Sequence, residues 1–226
     1  MKQAVHFGGG NIGRGFIGEI LHDNGFSITF VDVNDAMIDR INRDHKYLIE
    51  IYDDIKVEKL IRNVSAVNSR INPEAVSKAI LDSDIVTCSV GPNNLKYIAK
   101  NIADGISSRY TNHIKEKLDV IACENMVGAS QALKAEVYKY LDDEIKLFTE
   151  LYIGFPNASV DRIVPNIKYD SITTVGVEAY KEWIVETKYS KTYTDFKLEH
   201  VKYVSDIQPY TERKLLSVNT GHAAIA

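Results

Sequence analysis

The sequence of 226 residues lacks the features that mark several classes of protein. It has only two cysteines, Cys88 and Cys123, and both lie in apolar runs, so we expect reduced thiols in the core and neither a disulfide nor a nucleophile. The six histidines are scattered, and neither cysteine has a second ligand type at metal spacing. The sequence therefore predicts no metal site.

Excess positive charge and long apolar runs are also absent. The formal net charge is -4, which gives no basic surface for a nucleic-acid backbone, so we expect no nucleic-acid partner. No run approaches the length of a membrane span, and the apolar stretch near the N-terminus is too short for a signal peptide. With 45% hydrophobic residues the chain can bury a sizeable core, and we expect a cytoplasmic globular protein.

What the sequence does contain is an alternation of short apolar runs and helix-period segments through its first two thirds. The predicted strands cover residues 4–8, 27–33, 84–90 and 119–125. The predicted helices cover residues 11–24, 35–44, 73–82, 93–105 and 128–141. This order indicates an α/β fold of the Rossmann type, with a doubly wound and mostly parallel sheet.

Two regions depart from the alternation. The stretch YLIEIYDDIKVEKLI has β-rich arms on either side of Asp53 and Asp54, which predicts an antiparallel hairpin inserted into the fold. The stretch LYIGFPNASVDRIVP and the β-rich runs at 171–178 and 180–186 predict further strands that extend the sheet. The pattern becomes helical from Asp206 onward.

A glycine-rich turn follows the first predicted strand in AVHFGGGNIGRGFIG. Its G-x-G-x-x-G spacing allows a tight turn at Gly8, close approach of a pyrophosphate at Gly10 and close helix packing at Gly13. Asn11 and Ile12 would open the helix, where free backbone amides favour an anion. Such turns also simply join strands to helices, so the array alone leaves both interpretations open.

An acid at the end of the second strand strengthens the dinucleotide interpretation. Asp32 lies nineteen residues after Gly13, where a carboxylate accepts hydrogen bonds from the adenosine ribose and repels a 2′-phosphate, so the sequence favours NAD over NADP. The alternative is that Asp32 caps a turn or helix. Arg14 could receive a 2′-phosphate, but its place just inside the helix suits the pyrophosphate better.

Ligands of doubly wound folds bind beyond the carboxyl ends of the strands. We therefore predict that Val90 and Gly91, after the third strand, and Glu124 and Asn125, after the fourth, border the nicotinamide. Ordinary loop polarity explains Glu124 about equally well.

Three polar residues share the stretch ERKLLSVNTGHA near the end of the sequence. On a helix turning about 100° per residue, Lys214, Asn219 and His222 project from one face. A desolvated lysine can take a proton from an alcohol, and an asparagine amide can donate to the developing alkoxide. Alternatively, Lys214 is a solvated helix lysine and His222 a satisfied interior histidine.

In combination and order, the motifs HFGGGNIGRGFIG, ACENM, NASVDRIVP and PYTERKLLSVNTGHA resemble those of the polyol-specific long-chain dehydrogenases and reductases. The resemblance implies that Lys214 is the general base, that Asn219 and Asn157 stabilise the oxyanion, and that His222 completes the site. It also implies no metal. Asp161 and Arg162 match the family as well, although a buried ion pair explains them equally well.

The resemblance further implies an NAD-binding Rossmann domain over residues 1–190 and the beginning of a mainly helical substrate domain over 191–226. Because members of the family continue through several more helices, we expect this chain to be incomplete. The implied reaction is the NAD-dependent interconversion of a polyol phosphate, mannitol 1-phosphate, and a ketose phosphate, fructose 6-phosphate. A hexuronate reductase, an unphosphorylated polyol dehydrogenase and an inactive dinucleotide-binding module remain as alternatives.

Overall fold

The computed structural model describes residues 1–165, 167, 169 and 171–214, which form three β-sheets and their flanking helices. The strands are β1 (Lys2–Phe7), β2 (Phe26–Asp32), β3 (Lys46–Tyr52), β4 (Val57–Arg62), β5 (Val64–Asn68), β6 (Ile85–Cys88), β7 (Leu118–Ala122), β8 (Ile153–Gly154), β9 (Ala158–Asp161), β10 (Thr174–Glu178), β11 (Glu182–Glu186) and β12 (Val201–Val204). The helices are α1 (Gly18–Asp23), α2 (Asp35–Asp44), α3 (Pro73–Leu81), α4 (Leu95–Thr111), α5 (Ala129–Tyr138), α6 (Asp143–Tyr152) and α7 (Gln208–Arg213). A π-helical turn, Gly13–Ile17, leads directly into α1.

The largest sheet has six strands in the order β5-β2-β1-β6-β7-β8, and every neighbouring pair is parallel. The four strands predicted from the sequence are β1, β2, β6 and β7, each within a few residues of its expected ends. The central strands are buried on both faces because helices cover both sides of a parallel sheet. The prediction of a Rossmann-type α/β fold is confirmed.

Helix starts follow the expected capping chemistry. The Asn72 side chain accepts a hydrogen bond from the Ala75 backbone amide at 3.0 Å, and Pro73 occupies the first position of α3, where no amide is needed. Asn34 caps α2 in the same way through the Met37 amide at 3.1 Å. These caps hold the helices that cross between the strands of the large sheet.

Alternate residues of the central strands divide between two apolar clusters, one on each face of the large sheet. On one face, Ala4 of β1 packs with residues of α1, α2 and both smaller sheets. On the other, Val5 packs with residues of α3, α4 and α5. The core therefore lies on both sides of the sheet, and the carboxyl ends of its strands remain free for a site.

The remaining strands form two three-stranded sheets, in the orders β10-β3-β4 and β12-β11-β9. The predicted hairpin is confirmed, because β3 and β4 pair antiparallel from Lys46 with Arg62 to Ile51 with Val57. The prediction that the later strands extend the large sheet is confirmed for β8, which pairs with β7, and is wrong for β9, β10 and β11. The apolar residues of these strands, including Val177 and Trp183, instead belong to the cluster on the α1 face, where they are removed from water.

The third sheet continues past residue 190, since β12 pairs parallel with β11. The division of the chain at that residue stays a prediction. Beyond the third sheet, α7 begins at Gln208 and has Pro209 in its first turn, close to the start expected from the sequence. Within the described ranges, no helix is long and apolar enough to cross a membrane.

Candidate active site

The glycine turn follows β1 at the carboxyl edge of the large sheet. The Gly8 amide donates to Val31 O of the neighbouring strand at 2.8 Å, and Gly8 has φ +99°, a conformation that favours glycine. A Cβ at Gly13 would clash with Gly8 O and with the His6 ring, so the helix can approach the turn only with glycine there. A Cβ at Gly10 would meet no protein atom within 4 Å, which leaves that part of the turn open to a ligand.

Asp32 lies beside this turn at the end of β2. One carboxylate oxygen accepts from the Gly9 amide at 2.6 Å, and the other accepts from the Val33 and Asn34 amides at 2.7 and 3.0 Å. The carboxylate thus holds the turn as well as capping the backbone after the strand. Its role as the ribose acceptor stays a prediction.

Arg14 does not lie toward a pyrophosphate, contrary to the sequence-based expectation. Its guanidinium is buried, with Nε donating to Gly9 O at 2.7 Å and Nη1 to Ile172 O at 3.0 Å. The side chain therefore supports the turn from inside the protein. Asn11 and Ile12 open the helical segment on the ligand side, and Ile12 lines the adjoining cleft.

A cleft of about 390 Å³ opens between the glycine-turn helix and the ends of β6, β7 and β9. It brings together five residues predicted from separate parts of the sequence: Ile12, Gly91, Glu124, Asn125 and Lys214. The cleft is lined by Ile12, Phe16, Ser89, Gly91, Pro92, Cys123, Glu124, Asn125, Val160, Asp161, Arg162, Ile163 and Lys214. Both cysteines are free and buried, as expected for core thiols.

Glu124 connects the two strand ends that form the floor of this cleft. Its carboxylate accepts from the Val90 amide at 2.7 Å and from the Gly91 amide at 3.0 Å. Burial raises the pKa of Glu124 to about 7, against the opposing effect of the two amide hydrogen bonds. Val90 therefore faces Glu124 through its backbone, while Gly91, Glu124 and Asn125 border the cleft directly.

Lys214 reaches the cleft from the residue that follows α7. Its ammonium group donates a hydrogen bond to Val160 O at the end of β9. Burial lowers the pKa of Lys214, and the negative charge of Asp161 opposes that shift. A lysine with a lowered pKa beside a sheet edge is suited to proton transfer.

The structure does not place the other three predicted catalytic residues in the cleft. Asn219 and His222 lie outside the described residues. Asn157 is half-buried, and its amide nitrogen donates to Glu186 Oε2 at 3.1 Å; it is not among the residues that line the cleft. Its role as an oxyanion donor stays a prediction.

A buried ionic cluster supports the cleft from behind, and sequence reasoning missed its centre. Glu19 of α1 pairs with Arg162, with Lys59 at 3.0 Å and with Lys181 at 2.7 Å. Arg162 also donates to Gly15 O at 2.8 Å, so this side chain ties the end of β9 to the helix after the glycine turn. The sequence analysis offered a buried ion pair for Asp161 and Arg162, and the structure pairs Arg162 with Glu19 instead.

His6 is a second functional-site neighbour that the sequence did not reveal. Its Nδ1 and Nε2 atoms form hydrogen bonds with the Thr87 and Ser89 hydroxyls at 2.7 and 2.8 Å. Burial lowers its pKa to about 3, so the ring is neutral at physiological pH. It therefore fixes the loop after β6 against the glycine turn and carries no charge there.

Comparison with known proteins identifies close relatives. A family model described as the mannitol dehydrogenase Rossmann domain matches residues 2–198. Mannitol-1-phosphate 5-dehydrogenase of Lacticaseibacillus paracasei is 51% identical over the whole chain, and that of Streptococcus mutans is 50% identical over the whole chain. In both cases the match covers 59% of the relative's own length.

Solved structures agree on the fold. Substrate-free D-sorbitol dehydrogenase matches with a TM-score of 0.82 and 18% identity, over 97% of this chain and 57% of that one. D-mandelate dehydrogenase in complex with NADH matches with a TM-score of 0.59 and 13% identity, over 94% and 58%. The resemblance expected from the motifs is thus confirmed by the full sequence, and the chain belongs to the mannitol dehydrogenase family, whose Rossmann domain it contains.

Proposed function

We propose that this chain supplies the NAD-binding domain and the general base of a cytoplasmic enzyme that interconverts mannitol 1-phosphate and fructose 6-phosphate. Relatives named for that activity match the chain from end to end, although the chain spans only 59% of their length. The observation that carries the proposal is the ammonium group of Lys214 in a cleft bordered by the glycine-turn helix and the ends of β6 and β7.

The glycine turn and Asp32 provide the elements of an NAD site. Backbone amides at the helix start, beside the open face of Gly10, are suited to the pyrophosphate. The Asp32 carboxylate is suited to the ribose hydroxyls and would repel the extra phosphate of NADP. When bound, NAD accepts or supplies the hydride. We propose that Gly91, Glu124 and Asn125 lie beside its nicotinamide end, because they border the cleft that also holds Lys214.

In the direction of alcohol oxidation, neutral Lys214 takes the proton of the reacting hydroxyl as hydride leaves the carbinol carbon. Val160 O and the charge of Asp161 then stabilise the resulting ammonium. In the reverse direction the same ammonium returns the proton to the carbonyl oxygen. Following the family resemblance, we assign oxyanion stabilisation to Asn219 and Asn157 and a substrate hydroxyl contact to His222.

The test is NADH consumption with fructose 6-phosphate, compared with fructose and fructuronate, alongside NADH binding followed by fluorescence. Turnover selective for the phosphorylated sugar would support the proposed reaction. Turnover with fructuronate or fructose would instead identify a hexuronate reductase or an unphosphorylated polyol dehydrogenase. NADH binding without any turnover would identify the 226-residue chain as a coenzyme-binding module.

Exchanging Asp32 for asparagine should change coenzyme preference. The Asp32→Asn variant keeps one oxygen acceptor for the backbone amides but loses the charge that repels a 2′-phosphate. We expect the preference for NADH over NADPH, measured as the ratio of dissociation constants, to fall by about tenfold or more.

The matched control is Asp39→Asn, which removes an exposed carboxylate of α2 outside the turn and should leave the ratio unchanged. An unaltered preference in Asp32→Asn would argue that Asp32 serves only as a backbone cap.

A further inference from the structure

The loop that follows β6 forms one wall of the cleft, and the Glu124 side chain accepts hydrogen bonds from two of its backbone amides. Val90 and Gly91 direct consecutive backbone amides at the Glu124 carboxylate, at 2.7 Å and 3.0 Å, with a longer contact of 3.2 Å from Gly91 to the second oxygen. Gly91 has φ +90°, so the loop adopts a conformation in which most side chains would be strained. The loop conformation therefore depends on an acceptor at this position.

The opposite side of the same loop rests on the glycine turn. The Ser89 amide donates to Phe7 O at 2.8 Å, and the Ser89 hydroxyl forms a hydrogen bond with His6. Ser89 O lies so close to Gly8 that an added Cβ there would clash with it. A shift of the loop would thus be transmitted to the first glycine of the proposed pyrophosphate site.

Glu124 is poorly compensated for a buried acid. Glu124 is only 7% exposed, and within the described part of the chain it forms no ion pair. The charged groups that share its cleft are otherwise engaged: Arg162 pairs with Glu19, and Lys214 donates to Val160 O. Of the remaining groups, Asp161 is a second carboxylate and gives Glu124 no positive partner. The flanking thiols are Cys88 and Cys123, and burial raises their pKa values well above the usual range.

Both amides converge on one carboxylate oxygen, Oε1, and Gly91 makes the longer contact with Oε2. A proton on Oε2 would leave Oε1 as an acceptor but would remove the negative charge that strengthens these hydrogen bonds, and the new hydroxyl hydrogen would need a partner of its own. Proton uptake would therefore weaken the hold of Glu124 on both amides. Because burial raises the pKa of Glu124 to about 7, this change falls within the physiological range.

We propose that Glu124 is a positioning residue: its ionised carboxylate holds the loop after β6 in the conformation that receives the dinucleotide, so that protonation of this group weakens coenzyme binding. The inference rests on the proposed NAD site. It differs from a direct contact with the nicotinamide, because the effect passes through the loop and the glycine turn and should apply to NAD⁺ and NADH alike.

The experiment is a fluorescence titration of the chain with NADH at pH 8 and pH 6. For the native sequence we expect the dissociation constant to rise on going to pH 6, by at most about tenfold, which is the limit for linkage to a single proton with a pKa of about 7. In Glu124→Gln it should be raised at both values and independent of pH. Glu74→Gln, which removes an exposed carboxylate of α3, should behave like the native protein.

The comparison between the native chain and Glu124→Gln decides the matter, because the two proteins differ only in this side chain. An undiminished pH dependence in Glu124→Gln, or none in the native chain, would overturn the inference while leaving the NAD site intact. An effect confined to NAD⁺, measured by competition with NADH, would replace the loop mechanism with direct charge attraction. Failure to bind NADH at either pH would overturn the NAD site together with the inference.

A second variant, Glu124→Asp, tests the proposal even if Glu124→Gln misfolds. Glu124→Asp keeps the charge but has a side chain one methylene shorter, so it should bind NADH more weakly and retain the pH dependence. Loss of the pH dependence in this variant would contradict the proposed role, because its carboxylate still titrates. Circular dichroism of each variant at both pH values confirms that folded proteins are compared.

Discussion

Replacing Lys214 with methionine should abolish sugar-phosphate turnover while leaving NADH binding nearly unchanged. Methionine keeps most of the apolar stem but has no proton acceptor, and general-base catalysis contributes about 10²- to 10⁴-fold to such reactions. We therefore expect kcat/KM to fall by about that factor in any chain of this sequence that shows turnover. The measurement is steady-state kinetics in both directions together with a fluorescence titration of NADH.

Lys115→Met is the matched control, because Lys115 is an exposed lysine outside the cleft. The pH profile supplies a second readout. Burial lowers the pKa of Lys214, so the rate of alcohol oxidation should rise with pH as the neutral amine forms, and ketone reduction should decline over the same range. Normal turnover in Lys214→Met would remove the lysine from the mechanism.

The second large effect should be on stability, at the centre of the ionic cluster. Glu19→Gln keeps the shape of the side chain but leaves Arg162, Lys59 and Lys181 without their shared carboxylate. Removing one partner of a buried ion pair typically costs about 3–5 kcal/mol of unfolding free energy, because the remaining charge stays buried. Chemical denaturation at pH 7 should show a loss of that order.

Lowering the pH should remove the difference in unfolding free energy between the native chain and Glu19→Gln. The hydrogen bonds from Lys181 and Arg162 lower the pKa of Glu19 to about 2, although burial alone would raise it. A depressed carboxyl pKa contributes stability above its unfolded value of about 4.5, and that contribution is lost as the pH falls toward 2. The unfolding free energies of the native chain and Glu19→Gln should therefore converge over this window.

The control for Glu19→Gln is a variant that breaks an exposed ion pair. Asp104→Asn removes the partner of Lys100 on the surface of α4, a pair worth less than about 1 kcal/mol. Equal effects of Asp104→Asn and Glu19→Gln would mean that the buried cluster contributes no more than a surface pair. In that case the attachment of β9 to the glycine-turn helix would depend on the hydrogen bond from Arg162 to Gly15 O and on apolar packing.

Local patterns allowed the central unit of the fold to be predicted. The strand, glycine turn and helix around Gly8 and Gly13, and the acid at Asp32, follow from backbone sterics and strand periodicity over short distances. The hairpin around Asp53 was also predictable, because it pairs neighbouring segments of the chain. The motif match then extended the prediction to Lys214, which is the predicted catalytic residue that the structure places in the cleft.

Elements with weak periodicity or distant partners were missed. Strand β5, Val64–Asn68, contains polar residues that hide its alternation. Helix α6 was also missed, because its exposed leucines, such as Leu147, obscure the apolar face. The positions of β9 to β12 in separate small sheets depended on which apolar surface they could cover, and that is decided by the whole molecule.

The sequence by itself determined the α/β class, the nucleotide-type turn with its acid, and the family to which the chain belongs. Each of these follows from short stretches of sequence whose residues are near neighbours in the chain. Only the tertiary structure decided the partners of the buried charges. It placed Glu19 against Arg162, a residue 143 positions away, and Glu124 against the amides of Val90 and Gly91. The physical reason is that a charge removed from water must find its compensation wherever the packed chain supplies it, and sequence spacing does not specify that position.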